Sequence, residues 1–554
     1  MIAFINTFLK KTYIFLIHSI KSSKGIIALA ILTRLFLVLL AVQDIVMIYA
    51  DGTSHAFRAW QWSEDPTLAN LRDQHIWYVW MPGTALWLGI PMLFIDDIVL
   101  AVWISSLSFS LATMLVVYGI AKELYGERVA HWSIFVAALI PQAIWYSTGA
   151  VMDTFSNFFI LMAVWGVIKG YKHHPVYYIL SGAALACGNF TRYESWVFTV
   201  IILVMFLFIL LKIPFRSNQS YANIICMAVC FLLAVSTPLL WMQWNYQQHG
   251  DYFHFRNAAN DLFEEHESHF YNNYPNWIRN YVKLFHRLIK YPSFVGKVYT
   301  TPLYSKNILT VPIIALSNAL RHHISLSIAD IVSLFIFFIV IKSIVKYIQK
   351  EDSSNKIQKK LLIVYLGIFL LACLSYLVLA LSGNIPLAHS VRSILLHTLL
   401  IIPFLVKRYN HLMSLIRDRT FFKITFSARI QKLFISTIII IWLLMITFPI
   451  RDRYVAYQKD GLPEVGFWLK AQWENEKLAD SDIVLVEEKR WNDLAALRVF
   501  SNHPDRIFSF EENQSISINT KLVLRIYQKN FSDTFVWVGT VGKEDNLYFI
   551  FTKT

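Results

Sequence analysis

Ionisable groups recur where the apolar runs of this 554-residue chain stop. Asp51 ends the first long run and is followed by His55 and Arg58 in Ile48-Tyr-Ala-Asp-Gly-Thr-Ser-His-Ala-Phe-Arg-Ala-Trp60. A carboxylate at such a boundary can serve as a general base toward a hydroxyl, with a nearby guanidinium to receive an anion. A solvated helix end accounts for the same residue equally well. Asp153 sits in Val151-Met-Asp-Thr154, where a helix N-cap is the plain alternative. In Thr191-Arg-Tyr-Glu-Ser-Trp196, Arg192 stands two residues from Glu194, a spacing that suits a structural ion pair or a substrate contact. Arg392, with His389 close by, completes the set. Whether these groups cooperate depends on the elements that carry them.

Those elements are apolar. Hydrophobic residues make up 56% of the chain, aromatic residues 16% and charged residues only 16%. Runs of about 18 or more apolar residues, enough to cross roughly 30 Å of hydrocarbon, recur along the sequence. The expected fold class is an α-helical polytopic membrane protein. The formal charge of +14 then marks cytoplasmic loops; no nucleic-acid-binding module is recognisable, and nucleic acid is not an expected partner. Cys187, Cys226, Cys230 and Cys373 all lie in apolar segments and read as buried free thiols. The first run has no small-residue cleavage site and reads as a retained helix.

Threading by the distribution of Lys and Arg gives eleven spans: 26–48, 98–120, 130–148, 154–171, 176–190, 196–213, 222–242, 327–348, 361–381, 393–406 and 433–450. The shorter runs 81–95 and 308–320, interrupted by Pro82, Pro91 and Pro312, read as surface or re-entrant helices. Residues 1–450 thus form a transmembrane domain with outer loops 51–97 and 243–306. Residues 451–554 read as a soluble extracytoplasmic α/β domain, with a helix over 463–472 and strands over 482–486, 521–527, 534–538 and 546–551. In the loop 243–306, Glu265, His266 and His269 match no established metal-ligand spacing and suit a solvated amphipathic helix better.

This threading sends Asp51, His55, Arg58, Asp153, Arg192, Glu194 and Arg392 to outer turns on one side of the membrane. Unpaired charge at membrane depth is costly, so convergence of this kind points to a site. A transporter or flippase of a lipid-linked sugar is the rival class; it favours paired repeats and broken helices at mid-membrane, and neither is evident.

The ordered motifs resemble the C-type superfamily of membrane glycosyltransferases, which includes protein O-mannosyltransferases and lipid A aminoarabinose transferases. The likeness rests on Asp51-x3-His55, Trp80-Met-Pro82, Met152-Asp153 and Thr191-Arg-Tyr-Glu-x-Trp196, and covers roughly residues 26–240. The chain departs from the pattern at Gly52, where relatives carry a second acid, at Arg58, which precedes Ala59, and at Asp153, which directly follows Met152. The resemblance implies transfer of a sugar from a polyprenyl-phosphate donor to a hydroxyl of a glycan, lipid or protein acceptor, in the plasma or inner membrane. Asp51 would be the general base. Arg192 and Arg392 would bind the donor phosphate, and Asp153, Glu194, His55 and Arg58 would orient these groups or a divalent cation. An oligosaccharide ligase on the same fold remains open at this level.

Overall fold

The computed structural model describes residues 22–42, 50–67, 70, 80–210, 218–255, 361–372, 396, 399–407, 462–475, 483–487, 491–510, 520–526, 535–543 and 546–553. The expected spans 327–348 and 433–450, the short helix 308–320, Glu265, His266, His269, Cys373, His389 and Arg392 lie outside these residues.

The structure is mostly helical. Helix α1 (Ser23–Val42) is followed by α2 (Ala50–Glu64), so Asp51 belongs to the first turn of a helix within the expected outer loop. Helix α3 (Gly83–Met92) has ten residues and is therefore about 15 Å long, half the thickness of a hydrocarbon layer.

Helix α4 (Ile98–Tyr125) begins at an N-cap, where the Asp97 carboxylate accepts from the Leu100 N–H at 2.9 Å. It ends at Gly126, whose φ of 87° lies in the left-handed region that favours glycine. Its 28 residues span about 42 Å. The expected single span 130–148 is instead two helices, α5 (Glu127–Ala138) and α6 (Pro141–Tyr146). Pro141 has no N–H to donate and restricts Ile140, which breaks the ladder inside a run that contains no Asp, Glu, Lys or Arg.

Helices α7 (Met152–Lys172), α8 (Val176–Thr191) and α9 (Glu194–Leu210) follow. Helix α10 (Asn218–His249) contains Pro238 and runs seven residues into the segment expected to be the long outer loop. Among the described residues, α4 and the Tyr221–His249 part of α10 are long and apolar enough to cross a membrane. Leu361–Ala372 forms α11, a shorter apolar helix whose Leu361, Tyr365 and Phe369 join the main core.

Close helix approach fixes this bundle. A Cβ on Gly182 of α8 would lie 2.6 Å from the Cys230 Cα of α10, so only glycine lets these backbones meet. At one end of the bundle, Lys172 Nζ of α7 donates to Glu123 Oε2 of α4 at 3.0 Å. The C-terminal ends of α4 and α7 are therefore together, and their N-terminal ends, Asp97 and Asp153, face the other way.

The C-terminal region contains α12 (Leu462–Glu474), β1 (Ile483–Glu487), α13 (Trp491–Ser501), β2 (Ile507–Phe510), β3 (Thr520–Ile526), β4 (Phe535–Lys543) and β5 (Asn546–Lys553). The strands form one mixed sheet in the order β2-β1-β3-β5-β4. Strand β1 runs parallel to β2 and β3, whereas β5 is antiparallel to β3 and β4. Helix α13 and strand β2 are absent from the sequence-based expectation. Ala496, Val499 and Phe500 of α13 pack with Ala56, Phe57 and Ala59 of α2 in a shared apolar cluster.

Candidate active site

Asp153 lies in the first turn of α7 and Glu194 in the first turn of α9, where helix N-termini favour carboxylates. Arg192 is the C-cap of α8, the end that favours a cation. These opposite preferences bring the three charges to one corner. Arg192 Nη1 lies 2.6 Å from Asp153 Oδ1, and the Nε–H donates to Glu194 Oε2 at 2.7 Å. Nη2 donates to Glu194 Oε1, making a bidentate fork.

The Arg192 and Asp153 side chains are each 6% exposed and Glu194 is 16% exposed. With two carboxylates on one guanidinium, the cluster is formally an anion. Asp153 Oδ2 is buried and has no hydrogen-bond partner among the described residues. A buried acceptor left in this way costs about 1–3 kcal/mol, a cost that a hydroxyl or N–H of a bound molecule would offset.

The same corner is braced by further polar groups, some inside the Thr191–Trp196 motif and others outside every motif. Ser156 of α7 and Ser195 of α9 share a hydrogen bond of 2.9 Å. The fully buried Asn189 donates to Thr199 Oγ1 at 2.8 Å and to the Ala234 carbonyl at 2.7 Å, tying α8 to α9 and α10. The Trp241 indole donates to the Tyr193 hydroxyl at 3.0 Å.

Helix α3 links this corner to α2. The Trp87 indole donates to Thr191 Oγ1 at 2.9 Å, immediately before Arg192. A Cβ on Gly83 would fall 2.5 Å from the Phe190 carbonyl oxygen, so α3 rests directly on the end of α8. Met81 is buried with Trp241 and Trp244, against Tyr193 and Trp196. The Trp80-Met-Pro82 and Thr191-Arg-Tyr-Glu motifs thus meet through side chains.

On α2, His55 and Arg58 are buried around Trp80: the imidazole centroid lies 4.5 Å from the indole, and the guanidinium carbon is 5.2 Å above the ring. Burial lowers the Arg58 pKa to about 10, leaving it a cation at neutral pH. Asp51 is on the first turn of this helix, and its side chain lies outside the described residues. No set of three or more His, Cys, Asp or Glu arranged to hold a metal ion occurs among the described residues. The carboxylates of Asp153 and Glu194 both engage Arg192.

The C-terminal region closes over α2 from the same end. Arg498 lies 4.7 Å from the Phe57 ring centroid, Asn502 Oδ1 accepts from the Ile98 N–H at 3.0 Å, and Lys470 Nζ is 2.9 Å from Asp97 Oδ2. Burial raises the Asp97 pKa, but the Leu100 N–H and Lys470 outweigh it and hold the carboxyl below its ordinary range.

Arg34 is missing from the sequence-based site altogether. It is 1% exposed and lies inside the first apolar run, where a lone cation is itself a signal.

Residues 82–241 match the family model of dolichyl-phosphate-mannose-protein mannosyltransferase. The matched stretch runs from the start of α3 to Trp241 and includes Asp153, Arg192 and Glu194, but neither Asp51, His55 nor Arg58. None of the curated proteins matches the chain in sequence. Among solved structures, it is similar to the archaeal oligosaccharyltransferase AglB from Archaeoglobus fulgidus in complex with an inhibitory peptide and a dolichol-phosphate. That similarity has a TM-score of 0.45 and 11% identity over 91% of this chain and 69% of the other. ArnT from Cupriavidus metallidurans bound to undecaprenyl phosphate is similar with a TM-score of 0.44 and 10% identity, over 96% and 98% of the two chains. Similarities this loose transfer no residue roles.

Proposed function

We propose, from the premise that residues 82–241 carry the sequence pattern of the dolichyl-phosphate-mannose-protein mannosyltransferase family, that this chain is a membrane glycosyltransferase of the C-type superfamily. It moves a sugar from a polyprenyl-phosphate carrier to an acceptor hydroxyl. The observation that carries this reading is the buried Asp153–Arg192–Glu194 cluster inside the matched stretch, with Asp153 Oδ2 left as an acceptor for a bound group.

In this reading Asp51 removes the proton from the acceptor hydroxyl as its oxygen attacks the anomeric carbon, an effect of about 10²–10⁴-fold. The sugar–phosphate bond breaks and the lipid phosphate leaves; direct attack with one base inverts the anomeric centre. Arg192, engaged by two carboxylates, keeps the corner of α7, α8 and α9 rigid and presents Asp153 Oδ2 to a sugar hydroxyl. Positive charge at the leaving phosphate then comes from Arg392 and Arg58. Residues 1–450 cross the membrane eleven times, with the site on the extracytoplasmic side of the inner or plasma membrane. Residues 451–554 form an outer domain over α2, placed to meet the acceptor.

The test is incubation of the purified protein with undecaprenyl-phosphate-linked hexoses and pentoses and a glycan, lipid or peptide acceptor, with release of undecaprenyl phosphate measured. Release that depends on acceptor supports the reading. Absence of release from every donor, with donor crossing the bilayer of reconstituted liposomes instead, replaces it with transport.

A further inference from the structure

Ala137 and Ala138 end α5, and their carbonyls face a break in the ladder. In a continuous helix the Ala137 carbonyl would accept from residue 141, but that residue is proline and has no N–H. The Ile140 N–H reaches the Ala137 carbonyl only at 3.5 Å, and Arg34, from α1, supplies closer donors. Its Nη2 donates to the Ala137 carbonyl, and its Nε donates to the Ala138 carbonyl at 3.0 Å. Its Nη1 donates to Ser110 Oγ of α4 at 3.0 Å and to Ser147 Oγ, just past α6, at 3.3 Å. All four partners are neutral, so the negative end of the α5 dipole and the two hydroxyls compensate this buried cation.

The residues that follow are pinned from the same side. Ser147 Oγ donates to the Ala143 carbonyl at 2.6 Å and shares a hydrogen bond of 2.7 Å with Ser110 Oγ, Ser106 Oγ donates to the Gly149 carbonyl at 2.7 Å, and Thr154 Oγ1 donates to the Tyr146 carbonyl at 3.0 Å. The short segment 147–151 leads directly into the first turn of α7 and Asp153. A cavity of about 20 Å³, room for roughly one water, lies beside this knot and is lined by Arg34, Ser110, Tyr146, Thr154 and Asn157.

We propose that Arg34 is a positioning residue for the site: by capping the broken α5–α6 ladder and tethering Ser147 it sets the path of 147–151, and so the placement of Asp153 against Arg192. The functional part rests on the glycosyltransferase reading; the mechanical part does not. A Lys at this place carries the charge without the fork that reaches two carbonyls and two hydroxyls at once.

Full-length wild type, Arg34→Lys and Arg34→Met are compared in detergent by amide hydrogen exchange, with Ser147→Ala removing the hydroxyl that joins Arg34, Ser110 and the Ala143 carbonyl while Arg34 keeps its other three partners. The expected result is that Arg34→Met raises exchange over 142–153 by at least about tenfold, the effect of one lost charged hydrogen bond. Arg34→Lys and Ser147→Ala should give smaller rises at the same amides, with α8 and α10 unchanged. If Arg34→Met does not fold, Arg34→Lys and Ser147→Ala decide. Wild-type exchange over 142–153 in the folded variants, or a rise spread evenly over the bundle, overturns the proposal.

On a donor that the wild type turns over, Arg34→Lys should lower turnover, with about 10²-fold as the upper reach for a misplaced site. The donor KM should be kept, and adding Asp153→Asn should cost nothing beyond Asp153→Asn alone. Multiplicative losses would overturn positioning through Asp153. If the wild type turns over no donor, the glycosyltransferase reading falls, while hydrogen exchange still decides the clamp.

Discussion

Replacing Arg192 by Met removes the guanidinium from the cluster and leaves Asp153 and Glu194 facing each other at 6% and 16% side-chain exposure. Breaking a buried ion pair by deleting one partner costs about 3–5 kcal/mol, because the remaining charge stays desolvated. Here two carboxylates are left. The N-terminal dipoles of α7 and α9 offset part of their repulsion, each by up to ~2 kcal/mol in partly buried geometry. A net loss of about 3 kcal/mol follows, which corresponds to a fall in melting temperature of roughly 6 °C. The measurement is thermal unfolding of the detergent-solubilised protein followed by tryptophan fluorescence. Arg192→Met combined with Asp153→Asn and Glu194→Gln removes the stranded charges and should recover at least half of the loss. Wild-type melting of the single variant, or a triple variant less stable than the single one, would refute the electrostatic account of this corner.

Asp51→Asn should leave the protein folded and lower sugar transfer by about 10²–10⁴-fold; retained turnover removes Asp51 from the mechanism. Gly182→Leu would force α8 away from α10 at Cys230 and should cost about 1–3 kcal/mol in thermal unfolding. An unchanged melt would show that these helices do not approach so closely. The Asp97–Lys470 contact carries a pH dependence. Since the folded-state pKa of Asp97 is lowered, its contribution is present above the ordinary carboxylate range and is lost as pH falls through the depressed value. Limited proteolysis between α10 and α12 should therefore quicken below about pH 4 in wild type. Asp97→Asn should show fast cleavage already at neutral pH, and identical profiles for the two proteins would dissociate the contact from docking of the C-terminal region.

Much of the candidate site was legible in the sequence. Arg192 and Glu194 are two residues apart across one helix boundary, so local geometry alone lets them pair. The ordered motifs implied a C-type glycosyltransferase, and the family match over residues 82–241 agrees with that resemblance. Asp153 as the second partner of Arg192 was not readable as a contact, because it requires the packing of α7 against α8. The break at Ile140–Pro141 shows a different failure. Pro141 was visible, yet the run 130–148 carries no Asp, Glu, Lys or Arg and is apolar on average, and hydropathy counts side chains without counting backbone hydrogen bonds.

By itself the sequence determined the strongly apolar composition, the placement of ionisable groups at the ends of apolar runs, and the short motifs that carry the resemblance to C-type glycosyltransferases. These depend on side-chain identity and spacing along the chain, which folding does not alter. Tertiary structure alone decided the rest. It showed that Arg34 supplies the donors Pro141 cannot, that Asn189 ties three helices together, and that α13 lies on α2. It also showed that Arg192 is gripped by two carboxylates. Each of these joins groups that lie apart along the chain, and the cost of burying a polar group appears only when its neighbours are known.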